Sequence, residues 1–301
     1  MEWAKRLGYV RHANAVNLRT GSTQIVGLLV PFIDNPYYTS VIQEYHNALA
    51  ERGFRVIVSC SFGKAREAVS ALKTFQSYNV DGVFFNGSEG KLTPEILKQL
   101  EQFQSAGKPV MLSGCNHGRQ AVDQADVANT VGMVKLVQYL ARQGHERIAF
   151  IGGRKTNATM DARLKGFRQG LEKCGIAGNE AWLSFGDTMP TDAGRRCVEI
   201  LANTGRKHPT AFVCGNDIMA MGAIKAALKS GLNVPKDVAV TGFDDIEQAE
   251  LFVPGITTLR QPIDRIAQDC VNQFARRIVE KDFANPQLYL HEPELVIRES
   301  A

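Results

Sequence analysis

Val213-Cys214-Gly215-Asn216-Asp217-Ile218-Met219-Ala220-Met221-Gly222 and, further along, Val240-Thr241-Gly242-Phe243-Asp244-Asp245 are the stretches from which the fold is read. Each is a short apolar run that stops at polar residues before the next element begins. Such stops mark the carboxyl end of a parallel strand, and an open α/β sheet binds its ligands at those ends.

Outward from these two stretches the same pattern repeats. Apolar, β-branched runs lie at 25–30, 54–59, 82–85 and 110–112, and again at 148–151, 211–214 and 238–241. Helical spacings lie between them, such as Val41, Tyr45, Ala48 and Leu49, then Val134, Val137, Leu140 and Ala141. Buried parallel strands read as short continuous apolar runs, and their crossovers need helices. Two such series in succession predict an α/β protein of two doubly wound parallel-sheet lobes. With 301 residues, 44% of them hydrophobic, the chain is long enough for two cores.

The tail does not fit a simple split. A strand-like run at 256–259 precedes a helix with Ile263, Ile266, Ala267, Cys270, Val271, Phe274 and Ile278 on one face. Pro286 then breaks the chain before a last strand, expected over 288–297. One helix and one strand make no domain, so they are expected to complete the two lobes. That gives three crossings, near 128, 260 and 285. The expected organisation is 1–22 as a separate leading segment, 23–128 plus 261–285 as the first lobe, and 129–260 plus 286–301 as the second.

Charge and cysteine usage narrow the class. Residues 1–21 hold Lys5, Arg6, Arg11 and Arg19 against Glu2 alone, so most of the net charge of +4 lies there. A basic terminus on a near-neutral body suits a polyanion, though a solvated tail would read the same way. No apolar run approaches 20 residues, so no membrane partner is expected. The first 17 residues carry no apolar leader core. Cys60, Cys115, Cys174, Cys197, Cys214 and Cys270 have no CxxC spacing and are read as reduced core residues of a cytoplasmic protein.

The loops after the strands carry the chemistry. They offer Asp34, Asn35, Tyr37 and Tyr38, then Asn86-Gly87-Ser88, Ser113-Gly114-Cys115-Asn116, Gly152-Gly153-Arg154, Asn216-Asp217 and Asp244-Asp245. Amides, hydroxyls, carboxylates and aromatics in one cleft suit a small polyhydroxylated ligand, with rings packed on aromatic faces. Each residue has a plainer reading. Asn216 could cap the following helix, and Asp245 is expected to cap the short one after it. Asp244 precedes that cap and points more to the pocket. One of Tyr37 and Tyr38 is expected to be core packing. Arg163 lies early in a helix, where a cation opposes the macrodipole; it is either cleft-facing or an ordinary surface ion pair.

Enzyme signatures are lacking. Asp244 and Asp245 are adjacent and diverge, which makes a poor acid/base pair. No GxGxxG follows the first strand, and GxxxxGK[ST], HExxH and GxSxG do not occur. No catalytic residue, cofactor or metal is expected.

A wider set of motifs resembles the lactose-repressor (LacI/GalR) family of transcription regulators. It includes Leu18-Arg19-Thr20-Gly21, Asn35-Pro36-Tyr37-Tyr38, Asp81-Gly82-Val83, Gly144-His145-Glu146-Arg147-Ile148-Ala149 and Arg163-Leu164-Lys165-Gly166-Phe167. The two opening stretches and Thr257-Thr258-Leu259-Arg260-Gln261-Pro262 continue it in order. The resemblance implies a periplasmic-binding-protein-like fold and a homodimer whose binding to operator DNA is gated by a small-molecule effector, usually a sugar. It implies effector contacts at Tyr37, Tyr38, Arg163, Asn216, Asp244 and Gln261. It also implies that Leu18 is the hinge leucine that wedges into the DNA minor groove.

The chain departs from the family where it starts, at what resembles the last headpiece helix, over 2–7. The recognition helix that reads the major groove would precede it. Operator binding is therefore expected only of the full-length protein. Ser113-Gly114 also stand where the family often has an acidic residue. A free-standing sugar-binding protein of the periplasmic type is the alternative reading, since it shares the fold.

Overall fold

The computed structural model describes residues 21–87, 92–114, 122–155, 157–204 and 207–301. The expected hinge, including Leu18, lies outside the described residues.

The first apolar series builds one six-stranded sheet. Its strands are β1 (Ile25–Val30), β2 (Arg55–Cys60), β3 (Val83–Asn86), β4 (Val110–Ser113), β5 (Asp123–Val127) and, from the tail, β11 (Leu288–His291). The order is β11-β5-β4-β3-β1-β2, and every pairing is parallel. Helices α1 (Pro36–Ala50), α2 (Ala65–Ser77) and α3 (Pro94–Ser105) make the crossovers. Val26, Leu28, Val30, Val83 and Phe84 are fully buried. That suits strands covered on both faces and explains their unbroken apolar reading.

The second series builds a four-stranded parallel sheet, in the order β7-β6-β8-β9. Its strands are β6 (Ile148–Gly152), β7 (Leu183–Phe185), β8 (Ala211–Cys214) and β9 (Ala239–Thr241). Helices α4 (Asn129–Arg142), α5 (Ala158–Lys173), α6 (Pro190–Thr204) and α7 (Asp217–Lys229) pack in pairs, α4 on α5 and α6 on α7. A short α8 (Glu247–Leu251) follows β9.

The chain crosses between the sheets three times. It leaves the first through Ala128 into α4. It returns through β10 (Thr258–Arg260) into α9 (Ile263–Glu280), which packs on α1, β4 and β5. Phe274 of α9 anchors it, with Phe54 at 5.2 Å and Phe84 at 5.1 Å between ring centroids. Such aromatic pairs contribute roughly 0.5–1.5 kcal/mol each beyond the area they bury.

The tail corrects the sequence reading. The single strand expected over 288–297 is two strands. β11 extends the first sheet beside β5, so residues 288–291 belong with the first lobe rather than the second. β12 (Glu294–Val296) pairs antiparallel with β10 outside both sheets. The third crossing therefore falls after His291, not near 285. Pro293, which lacks a backbone N–H, stands between the two strands and cannot continue either ladder.

Strand β5 is absent from the sequence reading altogether, because Asp123-Gln124-Ala125-Asp126-Val127 is not an apolar run. All five residues are nevertheless buried. Arg277 of α9 makes this possible, donating to both Asp123 carboxylate oxygens at 2.8 and 2.9 Å, and Gln273 adds a bond of 3.0 Å. A buried charge is tolerated when paired and hydrogen-bonded in this way.

Candidate functional site

The strand ends of the two lobes meet around a small set of polar side chains. Tyr37 enters from the start of α1, where Asn35 caps the helix by accepting from the Tyr37 backbone N–H at 3.0 Å. Its phenol donates to Gln261 Oε1 at 3.1 Å. Gln261, just past β10, donates through Nε2 to Asp244 Oδ1 at 2.6 Å. Asp244, in the loop after β9, also faces Arg163 Nη2 at 3.3 Å. Four of the six expected effector contacts thus form one hydrogen-bonded row, from the first lobe through a crossing into the second.

Arg163 is the hub of the second lobe's side. It is 3% exposed, so it is no surface ion pair. Each guanidinium nitrogen reaches a different element: Nε donates to Asn129 Oδ1 at 2.8 Å, Nη1 to the Gly215 carbonyl at 2.5 Å, and Nη2 to Asp244. The guanidinium also lies 3.5 Å over the Phe243 ring centroid. This cation–π contact offsets part of the cost of burying the charge. The unfavourable helix-start position is outweighed by these four partners.

Tyr38 lies against two aromatic rings. Its ring centroid is 5.0 Å from that of Tyr37 and 6.4 Å from that of Phe32, and it is 8% exposed. Asn216 does what its plainer reading said: its Oδ1 accepts from the Met219 backbone N–H at 2.9 Å and caps α7. Asp245 corrects the sequence reading. It does not cap α8. Its carboxylate accepts from Arg260 Nε at 2.6 Å and lies 2.7 Å from Arg298 Nη1. Ile246 stands at the N-cap of α8, which has no side-chain cap; its backbone N–H donates to Asp217 Oδ2 at 2.9 Å.

The sequence offered Asp217, Asn86 and Ser113 among the strand-end loops without giving them a role, and it missed Asn129 and Thr159. Asp217 is fully buried at the start of α7, and its Oδ1 accepts from Thr258 Oγ1 at 2.5 Å. Gly242 lies so close that a Cβ there would fall 2.1 Å from the same oxygen. Asn129 opens α4 among mainly apolar neighbours, Val127, Ala128 and Val131, with no motif to mark it. Thr159, at the start of α5, donates to the Gly114 carbonyl at 3.1 Å and bridges the lobes again. On the first-lobe side, Tyr45 and Asn86 both bond Ser113 Oγ, at 2.9 and 3.1 Å. Asn86 Oδ1 is buried with no hydrogen-bond partner among the described residues.

Burial dominates the electrostatics. It raises the Asp244 carboxyl from 3.8 to about 6, against the pull of Arg163 and Gln261. It holds the Asp217 carboxyl well above the usual range, and the neighbouring Asp244 charge adds to the shift. The Tyr37 phenol is raised by burial and then by Asp244. Among the described residues, no cluster of His, Cys, Asp and Glu could hold a metal ion. A mixed row of phenol, amide, carboxylate and guanidinium offers both donors and acceptors to a neutral polar ligand.

This fold is of the periplasmic-binding-protein-like type. Residues 137–301 match the family described as periplasmic binding protein-like domain. The chain is 33% identical over 300 residues to the HTH-type transcriptional repressor PurR of Yersinia pestis bv. Antiqua (strain Antiqua), covering 99% of this chain and 86% of that one. It superposes on the transcriptional regulator CelR in its cellobiose complex with a TM-score of 0.82 at 27% identity, over 99% of this chain and 88% of that one. The regulator CcpA of Lactococcus lactis shares the fold, with a TM-score of 0.80 at 21% identity over 92% of this chain and 98% of that one. The chain belongs to the LacI family of transcriptional regulators. Like the repressors it matches, it is a regulator and not an enzyme. Among the described residues no helix is long and apolar enough to cross a membrane.

Proposed function

We propose that the site between the lobes binds a small polyhydroxylated effector, with a sugar as the leading class, and that its occupancy sets operator binding by a homodimer. The observation that carries this reading is the row Tyr37, Gln261, Asp244 and Arg163, whose donors and acceptors converge from both lobes. Carboxylate and guanidinium side by side suit adjacent hydroxyls, one donating and one accepting. The Asn86 oxygen, which has no partner among the described residues, is a further acceptor near the first-lobe strand ends. The cellobiose held by CelR, at 27% identity, supports a sugar over other small metabolites. The rival reading, a free-standing sugar-binding protein, is disfavoured by repressors matched over 99% of the chain.

A thermal-shift screen of mono- and disaccharides against nucleobases tests the effector class. A ligand at 100 times its Kd adds about 2.7 kcal/mol to native-state stability, enough to raise Tm measurably. A shift by nucleobases alone would transfer the site to another ligand class, and calorimetry on the best hit would then fix stoichiometry.

A further inference from the structure

Three crossings join the lobes; the row of polar side chains is bonded to the first two, and Asp245, next to Asp244 in the chain, is linked to the third. At the first, Asn129 is 2% exposed; its Oδ1 receives Arg163 Nε at 2.8 Å, and its Nδ2 donates to the Val127 carbonyl at 3.3 Å. At the second, the loop bearing Asp244 lies alongside β10. The Asp244 N–H donates to the Leu259 carbonyl at 2.9 Å, and Thr241 and Asp244 bridge Thr257 and Arg260 in parallel register. The neighbouring carboxylate, Asp245, holds Arg260 Nε at 2.6 Å. Arg260 reaches Glu294 of β12 at 3.5 Å, and Arg298, past β12, pairs with Asp245 at 2.7 Å. Arg298 also donates to the Ile256 carbonyl at 3.0 Å.

We propose that Asn129 and Asp245 are positioning residues that fix the angle between the lobes and, through it, the orientation of Arg163 and Asp244. The inference rests on the reading of Arg163 and Asp244 as effector contacts. The physical case is one of connectivity. A crossing strand is a hinge because few bonds restrain it. Asn129 ties the first hinge to the Arg163 guanidinium, and Asp245 ties the other two to the Asp244 loop. Both side chains are nearly inaccessible, Asp245 at 6% exposure. The Asn129–Arg163 and Asp245–Arg298 contacts are therefore little weakened by solvent, whereas Arg260 is half exposed. Removing either frees a hinge without emptying either lobe's core.

The distance between the lobes tests this. Spin labels carried on genetically encoded ketone residues at exposed Lys73 and Glu172 report the separation without touching the native thiols. The protein with these labels is expected to show one narrow distance distribution. Asn129→Ala and Asp245→Ala are each expected to broaden it and move it to longer separations. Asn129→Asp, which keeps an acceptor for Arg163, is expected to restore the original distribution. Arg168→Ala, which breaks the exposed Arg168–Glu180 pair inside one lobe, is expected to leave it unchanged. Should an alanine variant fail to fold, Arg260→Gln and Arg298→Gln cut the Asp245 ties from the partner side and are read the same way. Unchanged distributions in the folded variants overturn the proposal, and so does an equal shift in Arg168→Ala. No effector is needed, so a failed ligand screen would overturn the functional reading and leave this measurement intact.

Discussion

Gln261 Nε2 lies 2.6 Å from Asp244 Oδ1 while its own Oε1 accepts from Tyr37. One amide, placed on a crossing, thereby joins a first-lobe phenol to a second-lobe carboxylate. The groups expected to meet an effector also hold the lobes together. An entering ligand must replace those bonds as it makes its own. Each exchanged hydrogen bond is worth about 0.5–1.5 kcal/mol net, so affinity depends on the difference between two similar sets.

Asp244→Ala is expected to weaken effector binding by roughly tenfold to a hundredfold, since hydrogen bonds to a charged group contribute about 1.5–3 kcal/mol. Calorimetry with the best ligand from the screen measures this. Unchanged affinity would remove Asp244 from the contacts.

Arg163→Ala is expected to cost stability as well as binding. It leaves Asn129 Oδ1, the Gly215 carbonyl and the Asp244 carboxylate short of a buried donor. Breaking a buried pair from one side costs about 3–5 kcal/mol. Urea unfolding measures the loss, and a change under 1 kcal/mol would argue that the guanidinium is not the hub its geometry makes it.

Stability should depend on Asp244 in acid. Its folded pKa, about 6, lies above the ordinary 3.8, so the native state holds this proton more tightly. The contribution is full below 3.8 and is lost as pH rises through about 6. Asp217 is shifted in the same direction by burial. Relative to Asp244→Asn, the parent protein should therefore lose stability between these two pH values. Parallel urea midpoints for the two proteins across that window would show that the Asp244 proton does not matter.

Gly222→Ala is expected to destabilise the second lobe. A Cβ there would fall 1.9 Å from the Pro190 carbonyl oxygen, a backbone atom that cannot rotate away. Overpacking costs typically about 1–3 kcal/mol, and here α6 must shift against α7 to relieve it. A Tm equal to that of the parent would mean that the helix pair can open at no cost.

Leu251→Glu combined with Val253→Glu is expected to yield a monomer. Leu251 is 72% and Val253 84% exposed, an apolar pair at the end of α8 left uncovered by the described residues. Charges placed in an apolar contact oppose association without disturbing either core. Light scattering at micromolar concentration reads the result; an unchanged mass for a dimeric parent would place the interface elsewhere.

What the sequence determined by itself was local. Apolar runs such as 25–30 and 211–214 declare buried strands through composition alone, and the polar stops after them mark the strand ends. Gln261, Asp244, Arg163 and Tyr37 could be picked out because their motifs occur in order along the chain. What only the tertiary structure decided depends on partners far away in sequence. Asp123 reads as surface until Arg277 of α9 neutralises it, so β5 was invisible. The tail reads as one strand until its two halves find different neighbours, β5 and β10. Asp245 reads as a helix cap until Arg260 and Arg298 return beside it. Periodicity reports whether a residue is buried by its own element. It carries no record of which distant charge will satisfy a buried carboxylate, because that is settled only when the chain crosses back between the lobes.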